Sequence, residues 1–377
     1  MISKKILFIS TSRADYGLLR NVILETQNLN SKTYLLITGS HLSKEFGETI
    51  SEIKKDKIKN LIKKKILNKR FKEKNISDVV KKAISGTSQV IKKVKPDVVV
   101  VLGDRYELLG CVMAATVNRI PIAHIHGGEV TTGAFDDSIR HSISKLSHLH
   151  FPIHQLYKKR LIQLGENPKT IFNYGSLGVY ATKNMQLFSK NQLEKLFNIK
   201  LNKKIILVTF HPVTLEKNRS KFQIQNLIKF LNLFDNNIII ITSPNFDNES
   251  EIIKREILNF TKKKDNVYFY NSLGNRGYIS FMKIAYLIVG NSSSGMLESP
   301  YFGTKTINIG DRQKGRIFSD NVVNSGYKFM SIYRAFLRIN KKITKKSNIF
   351  LKKDTPKKIA MKILTFKFNL KKEFYDL

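Results

Sequence analysis

At 377 residues the chain is too long for one compact core and is expected to divide into two domains of ordinary size. A hydrophobic content of 42% suffices for globular cores, and the single cysteine, Cys111, excludes an internal disulfide and any multi-cysteine metal site, which fits a reducing compartment. The formal net charge of +37 raises nucleic acid or an anionic membrane as a partner, but the lysines are spread over five clusters between Lys54 and Lys372, with no aromatic residues interleaved in a recognisable RNA-binding pattern and no helix-turn-helix or zinc-finger spacing. Neither is therefore expected, and the basic field favours an anionic small molecule.

The start, MISKKILFIS, imitates a signal peptide, but its apolar run is short and is followed by Arg13 and Asp15, so it reads as a first buried strand over Lys5 to Ser10. No stretch approaches bilayer-spanning length, and a cytoplasmic protein is expected. A helix through about Gln27 and a strand over Tyr34 to Thr38, ending at Gly39-Ser40-His41, come next. The basic segment after Ile50 reads as a helix with Ile53, Ile58, Leu61, Ile62, Ile66 and Leu67 inside. Ser77 caps a helix to about Val94, which Pro96 ends. Asp97 to Leu102 and Pro121 to Ile125 are apolar runs suited to strands buried on both faces, joined by a helical segment from Tyr106 to Asn118.

Asp136-Asp137-Ser138 begins a helix, a further strand–helix–strand runs through Tyr174, and Gly175 to Ser189 reads as the interdomain connection. The second half repeats the alternation, with strands at Lys204–Phe210, Ile238–Thr242, Val267–Tyr270, Tyr286–Val289 and Lys305–Ile309, and a terminal amphipathic helix from Thr355. The expected fold is α/β, with two Rossmann-like parallel-sheet domains. The boundaries expected are 1–177 and 178–354, followed by the helix at about 355–377.

In such sheets ligands sit beyond the carboxyl ends of the strands, where Asp104, Arg105, His124, His126 and Glu129 fall. In the second half, Gly290 to Gly295 is a glycine- and serine-rich turn before a helix starting near Met296. It serves as a phosphate site or as a plain capped turn, and lacks both the Walker lysine and the three-glycine dinucleotide fingerprint. Glu298 suits either ribose hydroxyls or a first-turn acid. His211, set after a buried strand by Pro212, is a substrate contact or a core histidine satisfied by backbone. Arg13, Arg105 and Arg316 each follow a strand end, and three guanidinium forks converging would hold a diphosphate.

Taken in order, Ser12-Arg13-Ala14-Asp15-Tyr16, Gly103-Asp104-Arg105, His124 to Glu129, Asp136-Asp137-Ser138-Ile139-Arg140-His141, Thr209 to Thr214, Pro244-Asn245, Gly290-Asn291-Ser292-Ser293 and Arg312-Gln313 with Gly315-Arg316 resemble the hydrolysing UDP-N-acetylglucosamine 2-epimerases of the sialic and legionaminic acid pathways. The resemblance implies two domains facing across a cleft, as in B-type glycosyltransferases, with the helix at about 355–377 packing back on the first domain and a UDP-sugar as substrate. It implies departure of UDP, loss of the C2 proton to give a glycal, and hydration to a free N-acetylmannosamine-type sugar, without nicotinamide, metal or other cofactor. A homo-oligomer is the expected assembly. By motif position, Asp104 and Asp136 match catalytic acids and His211 a substrate-contacting histidine, while Asn245, Ser292, Ser293 and Glu298 match nucleotide-holding positions.

The departure from the pattern is His126, where the resemblance leads one to expect a glutamate. Either the histidine acts as acid or base, or Glu129 turns inward in its place. The sugar is either N-acetylglucosamine or the 2,4-diacetamido-2,4,6-trideoxyhexose of legionaminic acid synthesis. Competing readings are a B-type glycosyltransferase, for which the acids at 104, 129 and 136 have no clear use, and, more remotely, a basic nucleic-acid-binding protein.

Overall fold

A computed structural model describes residues 4–42, 50–67, 76–132, 136–213, 216, 218–244 and 249–377. The chain divides into two compact units: Met1–Glu129 with Asp136–Ala181 and Phe350–Leu377, and Val130–Phe135 with Thr182–Ile349. Among the described residues, each unit is built on six parallel strands, the α/β architecture that alternating apolar runs predict.

In the first unit the strands are β1 (Lys5–Ser10), β2 (Lys32–Ile37), β3 (Asn60–Lys63), β4 (Val98–Leu102), β5 (Ile122–Ile125) and β6 (Leu149–Phe151), in the order β3-β2-β1-β4-β5-β6. Because side chains alternate across a strand, neighbouring residues feed opposite cores. Phe8, Leu35 and Val100 pack on one face with Leu19, Ile23, Ile359 and Ile363, whereas Leu7, Leu36, Val99 and Val101 pack on the other with Ala83, Val90, Cys111 and Val112. The terminal helix Thr355–Thr365 is thus part of the first unit's core.

The second unit carries β7 (Ile205–Thr209), β8 (Ile238–Thr242), β9 (Val267–Tyr270), β10 (Leu287–Gly290), β11 (Thr306–Ile309) and β12 (Val322–Ser325), ordered β12-β11-β10-β7-β8-β9. Counted from its own first strand, this is the same order as in the first unit. Both sheets therefore reverse direction beside their first strand, between β1 and β4 and between β7 and β10, and such reversals open a crevice at the strands' carboxyl ends.

Several elements differ from the sequence reading. The basic segment after Ile50 is helical only over Ile50–Lys55; Asn60–Lys63 forms β3, paired with β2 from Tyr34↔Asn60 to Ile37↔Lys63. Lysine-rich composition masked an edge strand whose Leu61 and Ile62 pack into the two cores, and edge lysines discourage further strand pairing. No strand forms near Tyr174 among the described residues: after the helix Gln155–Gln163 there is a lone bridge from His150 to Ile171. The expected connection after Gly175 is instead helical over Leu177–Asn184, and β12 and the helix Phe329–Asn340 complete the second sheet without having been foreseen. No helix among the described residues is long and apolar enough to cross a membrane.

Candidate active site

In the first unit, the ends of β4 and β5 and the start of the helix Asp136–Leu146 converge on one buried arginine. Gly103 leaves β4 with φ +85°, a turn that presents Asp104. Arg140, whose side chain is only 4% exposed, extends from the helix to form an ion pair with Asp104 Oδ2 through one terminal nitrogen. The other terminal nitrogen lies 3.8 Å from Glu129 Oε2, and Glu129 is 2% exposed. Glu129 Oε1 in turn accepts a 2.7 Å hydrogen bond from His126 Nδ1. The result is a continuous series, Asp104–Arg140–Glu129–His126, in which one guanidinium stands between two carboxylates and all but Asp104 are buried. Asp136 is half-buried in the first turn of the same helix, four residues before Arg140 and so on the same face.

His126 sits in a left-handed backbone conformation, φ +69°, which a non-glycine residue adopts at a cost. Its amide donates to Phe151 O at 3.1 Å, which fixes that turn. Gly128, at φ +77°, follows; a Cβ there would overlap the Tyr157 carbonyl, so the close approach requires glycine. His124 lies within β5 and has no route to a ligand: its Nε2 donates to Gly103 O at 2.8 Å and its Nδ1 meets Ser144 Oγ at 3.1 Å. Burial drives its pKa down to about 3, so it is a neutral brace between the ends of β4 and β5.

A second cluster lies beyond β1 and β2. Asp15 Oδ2 accepts from the Thr11 amide at 3.1 Å and the Thr11 hydroxyl at 2.6 Å, closing the turn that Ser12 caps. His41, fully buried, places Nε2 2.8 Å from Ser10 Oγ and edges Tyr16. Burial brings its pKa down to about 4, with the Arg105 charge acting in the same direction and Asp15 opposing. Arg105 is 40% exposed; burial works against its charge, but Glu107, at 2.8 and 3.2 Å, keeps the guanidinium firmly protonated. Arg13 is an exposed first residue of the helix Arg13–Asn28.

The second unit's strand ends carry different chemistry. His211, 7% exposed, follows β7, and its backbone exchanges two hydrogen bonds with the Asn291 side chain: His211 N donates to Oδ1 at 2.7 Å and Asn291 Nδ2 donates to His211 O at 2.8 Å. Burial, and then the Arg312 guanidinium, hold the imidazole's pKa well below its ordinary value. Asn291 O accepts from Gln313 Nε2 at 2.9 Å and from Arg312 at 3.2 Å, so the turn after β11 braces the turn after β10. At φ +145°, Gly290 passes so close to Thr209 O that a Cβ would overlap it.

Past Gly290 runs a ladder of hydroxyls: Ser292 Oγ to Ser294 Oγ at 2.9 Å, Ser294 Oγ to Tyr278 Oη at 2.9 Å, Thr209 Oγ1 to that phenol at 3.3 Å and to Thr242 Oγ1 at 2.8 Å. The helix expected near Met296 is one turn, Ser294–Leu297, followed by another, Ser299–Phe302. So short a helix has little macrodipole, which leaves hydroxyls and turn amides as the polar resource here. Glu298 joins the two turns rather than standing in a first turn. Arg316 follows Gly315, whose φ of +86° brings it against Val130, and Lys314 O accepts from the amide and hydroxyl of Thr132.

Asp104, His126 and Glu129 are brought together; Arg13 and Arg105 belong to the neighbouring loops of the same sheet, and His211, Ser292, Ser293, Glu298 and Arg316 belong to the second unit. Asn245 lies outside the described residues. Arg140 is the residue that sequence reasoning quoted in a motif but gave no role. Its spacing of four from Asp136 was a usable signal; its burial between two carboxylates was not visible without the fold.

Two doubly wound sheets with polar and ionisable groups gathered at the carboxyl ends of their strands place the chain among the α/β proteins of Rossmann-like architecture. Residues 24–364 match the family described as UDP-N-acetylglucosamine 2-epimerase. A Campylobacter jejuni relative named GDP/UDP-N,N'-diacetylbacillosamine 2-epimerase (hydrolyzing) is 44% identical over 86% of this chain and 85% of its own. The polysialic acid biosynthesis protein P7 of Escherichia coli is 37% identical over 85% and 82% of the two chains. The crystal structure of a Neisseria meningitidis UDP-GlcNAc 2-epimerase bound to UDP-GlcNAc superposes with a TM-score of 0.80 over 96% of this chain and all of that one, and at 20% identity this likeness speaks to the fold. The chain belongs to the UDP-N-acetylglucosamine 2-epimerase family.

Proposed function

We propose that the protein is a hydrolysing 2-epimerase acting on UDP-2,4-diacetamido-2,4,6-trideoxyhexose, releasing UDP and the free 2-epimeric sugar. The observation that carries this reading is the 44% identity to the C. jejuni enzyme named for N,N'-diacetylbacillosamine; a Legionella pneumophila relative of the same designation is 33% identical over 92% of both chains. A second reading, the same reaction on UDP-N-acetylglucosamine, is favoured by the family's description and by a Neisseria meningitidis relative named UDP-N-acetylglucosamine 2-epimerase, 31% identical over 88% of this chain.

The chemistry demands what the two sets of strand ends offer. The hydrogen at C2 has no adjacent carbonyl to acidify it, so departure of UDP must lead and build oxocarbenium character at C1. Arg13, Arg105, Arg316 and the Ser292–Ser293 turn are suited to the charge growing on the diphosphate, and Glu298, Asn245 and His211 to the rest of the substrate. The C2 proton passes to a base, leaving a glycal. Water then adds its oxygen at C1, while Asp104 or Asp136 serves the proton that arrives at C2 from the other face.

The test is incubation with each UDP-sugar, singly and in competition, with NMR of the products. The 2,4-diacetamido-2,4,6-trideoxy substrate is expected to be consumed with the higher kcat/KM, giving free manno-configured sugar and UDP. Preference for UDP-N-acetylglucosamine selects the second reading, and UDP release that requires an added acceptor selects a glycosyltransferase.

A further inference from the structure

We infer that His126 Nε2 is the base that removes the C2 proton and that Glu129 is a positioning residue acting through it, an assignment that rests on the epimerase reading. The geometry points to it in three ways. First, a carboxylate can only accept, so in the neutral ring the 2.7 Å contact to Glu129 Oε1 selects the tautomer with its proton on His126 Nδ1 and the lone pair on Nε2. Second, Nε2 has no hydrogen-bond partner among the described residues, although His126 is only 8% exposed. A buried imidazole nitrogen without a partner is costly, and a substrate C–H that needs a base gives it a use. Third, two competing acceptors are occupied. Glu129 is 2% exposed and lies between His126 and Arg140, and Asp104 Oδ2 is taken by the Arg140 guanidinium.

The left-handed backbone at His126 and the glycines after it fit the same purpose. A residue held at φ +69° between β5 and a two-glycine turn is aimed by its backbone, and the amide bond to Phe151 O locks that aim. In the elimination, the C2–H electron pair becomes the C1–C2 double bond, the C1–O pair leaves with UDP, and the proton lands on Nε2. The imidazolium so formed lies against the Glu129 carboxylate, and its proton returns to water when products leave. Arg140 offsets the second carboxylate of the series, so that Glu129 is not left with Asp104 uncompensated.

The experiment compares His126→Gln, His126→Glu and Glu129→Gln with the wild-type enzyme, and reads the ring tautomer by nitrogen-15 NMR of histidine-labelled protein, assigned with His126→Gln. The tautomer is independent of turnover, so it tests the geometry even if the substrate assignment fails. Expected results are an Nδ1–H tautomer in the wild type and a kcat loss of about 10²–10⁴-fold in His126→Gln with KM nearly unchanged. Glu129→Gln, which keeps an acceptor for Nδ1, is expected to lose about 10–100-fold in kcat. His126→Glu, which restores a base at the same place, is expected to exceed His126→Gln. An Nε2–H tautomer, or a Glu129→Gln loss as large as that of His126→Gln, overturns the assignment. Absence of wild-type turnover with an Nδ1–H tautomer sinks the epimerase reading instead.

Discussion

The two sheets share a strand order and gather polar groups at the carboxyl ends of their strands, yet those ends hold different kinds of chemistry. At the ends of β4 and β5 the side chains are ionisable and mutually charged: two carboxylates, a buried guanidinium and an imidazole in series. At the ends of β7 and β10 the hydrogen bonds run mainly between amides and hydroxyls, with His211 and the Arg312 guanidinium beside them. Even the histidines divide this way, since seven of the eight, all but His211, fall within the first unit. A common scaffold thus supplies position, and the residues following each strand decide what chemistry stands there.

One way to break the comparison is to damage the second unit's strand ends alone. Gly290→Ala puts a Cβ against the Thr209 carbonyl at a φ of +145° that only glycine adopts comfortably. We expect a loss of about 3 kcal/mol in urea unfolding followed in the second unit, the combined cost of a strained backbone and overpacking. Hydrogen exchange in the ends of β4 and β5 should be unchanged; loss of protection there instead would mean that the two sets are not separable.

Acid sharpens the comparison from the other side. Burial holds His124 near 3 and His41 near 4, both below the ordinary value of 6.5. Below that value the unfolded chain takes up protons that the folded unit refuses. The stability these histidines contribute is therefore fully present above about pH 6.5 and is lost as the pH falls toward 4, by at most about 1.4 kcal/mol per pH unit for each. The second unit has His211 alone on this account, so hydrogen exchange should show the first unit weakening more steeply through that window. An equal slope in both units would remove the histidines as the cause.

Much of this was legible in the chain itself. The strands over Lys5–Ser10, Ile238–Thr242 and Val267–Tyr270 were read to the residue, because short β-branched runs closed by turn residues leave little choice. The strand β3 was hidden because lysines on an exposed edge give it the look of a solvated helix. His124 and His126 stand two apart and read alike, yet one is a neutral brace in β5 and the other heads the charged series. Only the pairing of β5 with β4, which brings Gly103 O to His124, separates them. Arg140 was hidden for a related reason: sequence spacing puts it on the helix face of Asp136 but says nothing of Asp104 and Glu129 arriving from two other loops.

The measurement that bears most directly on the division of labour is UDP affinity and turnover in Asp104→Asn. UDP is expected to bind within a few-fold of the wild-type Kd while kcat falls about 10²–10⁴-fold, because one carboxylate of the ionisable series is lost and the second unit's strand ends are untouched. Turnover near that of the wild type, or UDP affinity falling in step with kcat, would contradict it.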